Sequence, residues 1–481
     1  LGTNSIKDTG FDVANSLRFD DGSSDNLSGT LSSGSGSDVK GTISLWVKRC
    51  HLGTDQAIIC GKKSNSERVT VSFTSENRFE IQFIDTSNAY NWRSTALFRD
   101  TASWYNCIIK FDTGNVTANS RVRAFINNEE ITSWNMQETI PNDLKIGFFN
   151  GSDGNTRVIG ARGGSSTDKF FDGYICEVVG INNSLNDNTD FGEVDEDSGI
   201  WKPIDVSGLT FGTNGFYLDF ENSGSLGNDK SGNGNNFTVN NLTSIDQTTD
   251  TCTNNFATLN ALLPLHSSTF SEGNCKWTPS TASQYYWSNS TFGLSQGKWY
   301  MEAKLTTSAD HNYFGISVDQ PDDSTTFLGG GGGAGGTNDE YEWSWKSSDG
   351  KIYNNTDGGT AYGNTYTTGD ILGLYLDLDN NKLYFAKNGT IQNSGTGISI
   401  TDPASTPNGV YFIALGDGTS SNSSVWEVNF GNPTFSISSG NSDPSGYGNF
   451  EYSPNDGGSA SFDSSAKDFY ALNTKNLAEY G

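Results

Sequence analysis

Acidic side chains are the first residues whose type and spacing suggest chemistry. Asp20, Asp21 and Asp25 crowd one short stretch of Gly, Ser and Asn residues, and that composition predicts a turn. Carboxylate oxygens are the hard ligands that calcium requires, so the cluster predicts a calcium site formed by these three residues. The alternative is an ordinary Asp-rich turn whose side chains cap their own backbone. Apart from calcium, the sequence predicts no cofactor.

Two groups of aromatic residues lie in polar segments that predict loops or strand ends. These are Tyr90 with Trp92, and Tyr285 with Tyr286 and Trp287. Sugar recognition uses a flat aromatic face beside hydrogen-bonding side chains, because a sugar presents both C–H and O–H groups. The five residues are therefore candidate ligand contacts. The alternative is packing within a protein core.

The three histidines do not predict a catalytic or zinc centre. His51, His266 and His311 are far apart in sequence, and each lies near a turn or a strand edge. Because no HExxH motif occurs, the sequence predicts no zinc site, and it predicts no Ser-His-Asp triad. We therefore expect no catalytic residues and no enzymatic activity.

Composition and charge restrict the class of protein. A chain of 481 residues is too long for one core, so two or three domains are expected. Abundant Gly, Ser, Thr, Asn and Asp with 12% aromatics suit short strands joined by polar turns, which predicts an all-β fold. The net charge of −27 argues against nucleic-acid binding, which needs concentrated Lys and Arg. No apolar run reaches the roughly 20 residues of a membrane span, so no membrane insertion is expected.

Six cysteines occur without a CxxC motif, and three of them lie within apolar segments that predict strands. They are Cys50, Cys60, Cys107, Cys176, Cys252 and Cys275. This placement predicts that most are buried thiols. In an oxidising compartment the alternatives are the pairs Cys50–Cys60 and Cys252–Cys275.

The stretch 366–389 predicts a β-hairpin. Alternating Leu residues from Leu372 to Leu378 form one strand, a polar turn covers 379–381, and Leu383, Phe385 and Lys387 return on the second strand. The segment resembles the signature of the SPRY domain family. The matching letters are Gly369, Asp370, Ile371, Gly373, Asp377, Asp379, Leu383, Phe385, Lys387, Asn388 and Gly389. Further SPRY-like strands at 297–305, 312–318, 341–355 and 410–417 extend the resemblance over residues 269–436.

The first part of the chain carries period-two segments separated by Gly, Asn, Asp and Ser, which predict an antiparallel sandwich. Here the sequence is similar to laminin G-like, concanavalin A-like domains, over residues 1–191. The matching letters are Leu17, Phe19, Asp20, Ser44, Trp46, Val47, Trp104, Tyr105, Phe111, Asp112, Val122, Phe125, Asn127, Phe171, Asp172, Gly173, Ile175, Glu177 and Val178. Asn128 stands where this family has Gly, and Asn tolerates the same left-handed turn. We expect Trp46, Trp104, Trp299 and Trp345 in the two cores.

Two further segments complete the predicted organisation. Residues 192–268 form an acidic connector with a short hairpin, for which a strand pair interleaved with a sandwich is an alternative, and residues 437–481 form a Gly/Ser/Asn-rich tail. The concanavalin A-like fold also hosts glycoside hydrolases that use paired carboxylates. Their E-x-D-x-x-E strand is nearly matched from Glu193, but Ser198 replaces the second Glu, and a solvated acidic linker is the favoured interpretation.

Taken together, the order of domains and the C-terminal TKNLAEYG resemble structural proteins of marine bacteriophages. The resemblance implies a virion surface protein, such as a tail fibre, spike or capsid appendage, that binds host glycans or proteins. Its partners would be other virion proteins and host cell-surface glycans, and a homo-oligomer is expected because weak sugar contacts gain from avidity. The alternatives are a purely structural decoration or connector subunit and, from another class, a polysaccharide-degrading enzyme.

Overall fold

The computed structural model describes residues 10–31, 37–64, 66–86, 88–151, 155–163, 167–262, 268–280, 285–308, 311–319, 327–331, 338–418, 424–455 and 467–481. Within these ranges the chain is almost entirely β, which confirms the predicted all-β class. It divides into two compact units, Asp8–Asn254 and Asn255–Gly481. No helix among the described residues has the length and apolar character needed to cross a membrane.

The strands of the first unit are short and separated by polar turns. They are β1 Ser16–Phe19, β2 Asn26–Thr30, β3 Lys40–Arg49, β4 Gln56–Ser64, β5 Glu67–Phe73, β6 Arg78–Asp85, β7 Asn88–Leu97, β8 Trp104–Asp112, β9 Val122–Ile126, β10 Glu129–Glu130, β11 Trp134–Gln137, β12 Thr156–Ile159, β13 Gly173–Asn182, β14 Gly192–Val194, β15 Trp201–Pro203, β16 Phe216–Leu218, β17 Thr238–Asn240 and β18 Gln247–Thr248.

Two sheets form the sandwich of the first unit. Sheet A has the order β10-β9-β8-β3-β13-β1-β18, with β16 paired to β13, and sheet B has the order β11-β7-β6-β5-β4-β12-β2-β17. Ile43 and Leu45 of sheet A and Val69 and Val71 of sheet B are fully buried in one core cluster. Asn128 has φ of 69°, the left-handed conformation expected where its family has Gly.

The segment predicted as a connector is instead divided between the two units. Residues 192–254 belong to the first unit, where β16 pairs with β13, β17 with β2, and β18 with β1. Residues 255–268 belong to the second unit. The interleaved alternative therefore describes 192–254 better, because its short apolar runs are long enough to add strands to existing sheets but not to form a core of their own.

Glu177 lies under this added segment and gives the first unit a pH-dependent stability. It sits at a bulge in β13 with φ of 50°, and the Tyr217 hydroxyl donates to its Oε2 at 2.9 Å. Burial, and to a smaller extent the negative charge of nearby acidic residues, raises the pKa of Glu177 from 4.5 to about 8. A raised folded-state pKa means that the folded chain holds the proton more tightly than the unfolded chain.

Glu177 should contribute fully to the free energy of unfolding of the first unit below pH 4.5. We expect this contribution to be lost as the pH rises through about 8. The loss is about 1.4 kcal/mol per pH unit between these values. The Glu177→Gln variant keeps an acceptor for Tyr217 but cannot ionise. Urea unfolding between pH 5 and pH 9 should therefore show a flatter profile for the variant, and identical profiles would contradict the assignment.

Among its described residues, the second unit contains the remaining strands and one short α-helix. They are β19 Ser268–Ser271, β20 Lys276–Pro279, β21 Tyr286–Asn289, β22 Lys298–Thr307, β23 Asn312–Ser317, β24 Trp343–Lys346, β25 Lys351–Tyr353, β26 Thr360–Ala361, β27 Ile371–Asp377, β28 Lys382–Lys387, β29 Thr390–Ile391, β30 Ile398–Ser399, β31 Phe412–Asp417, β32 Val425–Asn429, β33 Tyr470–Ala471 and α1 Thr474–Tyr480.

Two sheets again enclose a core. Sheet C has the order β19-β20-β32-β22-β27-β28-β29, with β30 on β28 and β33 on β22, and sheet D has the order β21-β31-β23-β24-β25-β26. The predicted hairpin is β27–β28, with Leu374 opposite Phe385 and both residues buried. Asn388 and Gly389 both have positive φ, as a two-residue hairpin turn requires.

Trp46, Trp104, Trp299 and Trp345 are all buried, as predicted.

Part of the predicted C-terminal tail packs into the second unit. Phe450 and Phe469 are fully buried, and β33 pairs in parallel with β22. The helix α1 begins after Asn473, whose side chain accepts a hydrogen bond from the Asn476 amide. A Gly/Ser/Asn-rich composition concealed these elements because only a few isolated aromatic residues anchor them.

All six cysteines lie within the described residues and are present as thiols, five buried and Cys252 partly exposed. This confirms the prediction of buried thiols. Neither Cys50–Cys60 nor Cys252–Cys275 is joined in a disulfide.

Candidate functional site

Three neighbouring strand ends form one edge of the first sandwich. Phe19 ends β1 opposite Gly173, which begins β13, and Gly173 lies opposite Arg49 at the end of β3. The residues just beyond these ends are therefore brought together: Asp20 and Asp21 after β1, Asp172 before β13, and His51 after β3. The Cys50 amide donates to the Asp172 carbonyl at 3.1 Å, which extends the contact between β3 and β13 by one residue.

Asp21, His51 and Asp172 form a group that we call the rim site. One potential ligand atom from each residue lies within 4.8 Å of the other two. His51 Nδ1 is 3.0 Å from Asp21 Oδ2, and both side chains are partly exposed, whereas Asp172 is buried. The hydrogen bond to Asp21 raises the pKa of His51. The site therefore presents two carboxylates and an imidazole at the solvent boundary of the sandwich.

The sequence prediction for this region identified one of the three residues. Asp25 is buried, and its Oδ2 accepts a hydrogen bond from the Asp20 amide at 3.0 Å, which is the turn-capping alternative. Neither Asp20 nor Asp25 belongs to the group of three within the described residues. An imidazole nitrogen with two carboxylates suits zinc, manganese or a related ion better than calcium, which prefers oxygen ligands throughout.

The aromatic candidates in the first unit take two different positions. Trp92 is only 2% exposed, and its Nε1 donates to the Glu138 carbonyl at 2.8 Å. Tyr90 is partly buried and packs against the same core. Trp92 therefore follows the core-packing alternative, because β7 alternates its side chains and turns Trp92 inward between Asn91 and Arg93.

In the second unit, the ring of Tyr285 is partly exposed, but those of Tyr286 and Trp287 are not. Tyr286 and Trp287 are 4% and 6% exposed and lie on β21 of sheet D. The Tyr286 hydroxyl is hydrogen-bonded to Ser280 Oγ at 2.8 Å. Tyr286 and Trp287 therefore follow the core-packing alternative, since pairing of β21 with β31 places both in packed surfaces.

A cluster on sheet D, of which the sequence indicated only Tyr285, combines aromatic rings with a lysine. Phe327 stacks on Tyr313 with ring centres 4.8 Å apart, and it also meets Tyr353 and the partly exposed Tyr285. The Lys346 ammonium lies 5.7 Å from the Tyr313 ring centre and 5.3 Å from that of Tyr353. Burial lowers the pKa of Lys346. Tyr313 and Tyr353 are buried, and Tyr285, Phe327 and Lys346 are partly exposed, so these residues pack mainly against one another.

The acidic segment from Glu193 forms an exposed hairpin rather than a paired-carboxylate centre. Glu193 lies on β14, and Asp195 accepts hydrogen bonds from the Ser198 amide and hydroxyl in the turn. These bonds lower the pKa of Asp195 to about 2. Asp195 therefore has the role of a turn-stabilising side chain.

A serine motif lies in the second unit. Residues 293–297 read GLSQG, which matches the nucleophile motif GxSxG. That motif acts at a tight turn from a strand into a helix, whereas here it lies in an irregular segment that leads into strand β22. Ser295 is exposed, and His266 lies outside the described residues. The local fold therefore gives no nucleophile elbow.

A cleft at another position of the first unit is small and polar. Its lining includes Glu67, Asp85, Asp143 and Lys145, and its volume is about 160 Å³. Cavities that enclose small-molecule ligands are usually about 300–1,000 Å³. The cleft is therefore a weaker candidate than the rim site.

Comparison with known proteins defines the class of both units. Residues 21–189 match the family model of the concanavalin A-like lectin/glucanases superfamily, and residues 298–415 match that of the SPRY domain. The chain thus carries a laminin G-like, concanavalin A-like domain followed by a SPRY domain, as the sequence predicted. This combination suggests a binding protein.

Individual relatives cover only part of the chain. Ran-binding protein 9 of Danio rerio is 29% identical over 106 residues, which are 22% of this chain and 16% of that protein. The human Ran-binding protein 9 is also 29% identical over 106 residues, which are 13% of its length. The matched residues make up less than a fifth of the length of each of these relatives.

Among solved structures, the SPRY domain of human HERC1 aligns over 35% of this chain and 96% of its own, with 14% identity and a TM-score of 0.27.

Proposed function

We propose that this chain is a non-enzymatic recognition protein of a bacteriophage virion surface, which binds glycans or proteins on the host cell. The observation that carries the proposal is the rim site, where the ends of β1, β3 and β13 hold Asp21, His51 and Asp172 at a solvent boundary. A rigid sandwich with functional groups on its exposed edge is a common design for recognition.

The assignment to a virion follows from the resemblance of the chain to marine phage structural proteins. In that setting the partners are other virion proteins and host cell-surface glycans, and the location is extracellular. Symmetric copies would multiply weak contacts, so we propose a homo-oligomer. The strong negative charge excludes phosphate-rich ligands from this proposal.

The rim site would hold a divalent ion as part of the ligand contact. Asp21 and Asp172 supply carboxylate oxygens and His51 supplies a nitrogen. An ion at that position would accept hydroxyl oxygens of a sugar in its open coordination positions. No step of covalent chemistry is proposed there, and the exposed turn around Asp195 is not a catalytic pair.

The proposal is tested by binding of the purified chain to bacterial cells and to a glycan array, with and without a chelator. We expect saturable binding that decreases at least tenfold in Asp21→Asn and in His51→Gln, and that also falls on chelation. Glu196→Gln, an exposed acid in the same unit, is the matched control and should bind like the original chain. Binding that survives both rim variants would exclude the rim site.

A further inference from the structure

Two cysteines of the first unit lie in direct contact although they are distant in sequence. Cys176 Sγ on β13 and Cys252 Sγ are 3.7 Å apart. Cys252 lies in a turn closed by two backbone hydrogen bonds between Thr251 and Asn254, at 3.2 and 3.1 Å. The contact therefore joins a central strand of sheet A to the last residues of the first unit.

Both sides of the contact are held in place by other interactions. Cys176 is fully buried in a strand that pairs with β1 and β3. On the other side, the Lys48 ammonium binds the Asp250 carboxylate at 2.8 Å, and the Val13 amide donates to Thr253 Oγ1 at 3.0 Å. The backbones on both sides are fixed, so the sulfur contact is a persistent feature of the fold.

The surroundings distinguish this pair from the other thiols. Cys252 is the one cysteine that is partly exposed, whereas Cys176 is fully buried. Cys60, in contrast, is enclosed by Thr70 and the Gly163 carbonyl. Burial, together with the nearby Cys176 thiol and Glu177 carboxylate, raises the pKa of Cys252. Thiolate is the reacting form, so we expect the pair to react slowly at neutral pH and faster at alkaline pH.

We propose that Cys176 and Cys252 are an oxidisable pair that forms a disulfide when the chain meets a small-molecule disulfide. The Cys252 thiolate attacks the oxidant, forming a mixed disulfide and releasing one thiolate. The Cys176 thiol then gives its proton to the released thiolate. The Cys176 thiolate attacks the Cys252 sulfur and displaces the second thiolate, which takes up the proton that Cys252 lost. The two cysteines lose two electrons, and the oxidant becomes two thiols.

The required movement is small. A disulfide needs a sulfur separation of about 2.05 Å, so side-chain rotation has to bring the two atoms closer by about 1.6 Å. The resulting bond would tie the segment 192–254 covalently to β13. It would thereby retain this segment on sheet A when the unit is partly unfolded.

The test treats the full chain with oxidised glutathione at pH 8.5, blocks remaining thiols under denaturing conditions, and maps peptides without reduction. We expect the number of free thiols to fall by two, with Cys176 and Cys252 in one linked peptide. Cys252→Ser should abolish the link, and the matched control Cys60→Ser should retain it. A chain in which Cys252 carries only glutathione, or is joined to another cysteine, would overturn the proposal.

Discussion

Replacing Asp250 by alanine should destabilise the first unit by about 3–5 kcal/mol. The Lys48 ammonium and the Asp250 carboxylate are 0% and 1% exposed, with Nζ and Oδ2 separated by 2.8 Å. Removing the carboxylate leaves a buried positive charge without its partner, which costs more than the pair itself contributes. The Trp104 indole N–H also donates to Asp250, at 3.3 Å. Urea unfolding followed by tryptophan fluorescence measures the change.

A double variant separates the charge effect from packing. Lys48→Met with Asp250→Asn removes both charges and keeps similar volumes, so most of the lost stability should return. If Asp250→Ala alone changes the free energy of unfolding by less than about 1 kcal/mol, the ion pair is not buried as described.

The second large effect is expected from Glu302→Ala in the second unit. Glu302 is fully buried on β22, and burial raises its pKa to about 7. Its carboxylate accepts four hydrogen bonds at 2.7–3.0 Å; the donors are Tyr300 Oη, Asn429 Nδ2 and the amides of Glu451 and Tyr452. A buried donor left without an acceptor costs about 1–3 kcal/mol. We therefore expect the free energy of unfolding to fall by at least about 3 kcal/mol, because local rearrangement recovers part of the cost of the four lost hydrogen bonds.

The loss should be accompanied by release of the C-terminal segment. Hydrogen exchange should increase in peptides covering 449–452, because two of their amides lose their acceptor. Glu340→Ala, an exposed acid of the same unit, is the control and should change stability by less than about 0.5 kcal/mol. Unchanged exchange at 449–452 in Glu302→Ala would show that this carboxylate does not anchor the segment.

Local patterns predicted the elements whose residues are neighbours in sequence. The hairpin β27–β28 was found because its alternating Leu residues and its polar turn at 379–381 lie within one short stretch. The strand β16 was not assigned to the first sandwich, because its pairing partner β13 is distant in sequence. Three apolar residues carry too little pattern to identify such a partner.

The rim site shows the same limit. Asp21 was found because three Asp residues are close in sequence, whereas His51 and Asp172 join it only through the pairing of β1, β13 and β3. The sequence did contain a signal for Asp172, because Asp172 lies in the Phe171–Gly173 motif that resembles laminin G-like domains. Trp92 shows a related limit: its polar neighbours left ligand contact and core packing both open, and alternation along β7 places it in the core.

The central claim, binding without catalysis, is tested most directly by incubating the purified chain with bacterial cells and isolated envelope polysaccharide. Bound protein and newly formed reducing ends are measured in the same samples. The account predicts saturable binding with no increase in reducing ends over a sample without protein. An amount of reducing ends that rises with protein concentration would contradict the account and identify an enzyme. Absence of binding to both the cells and the polysaccharide would favour a structural subunit of the virion.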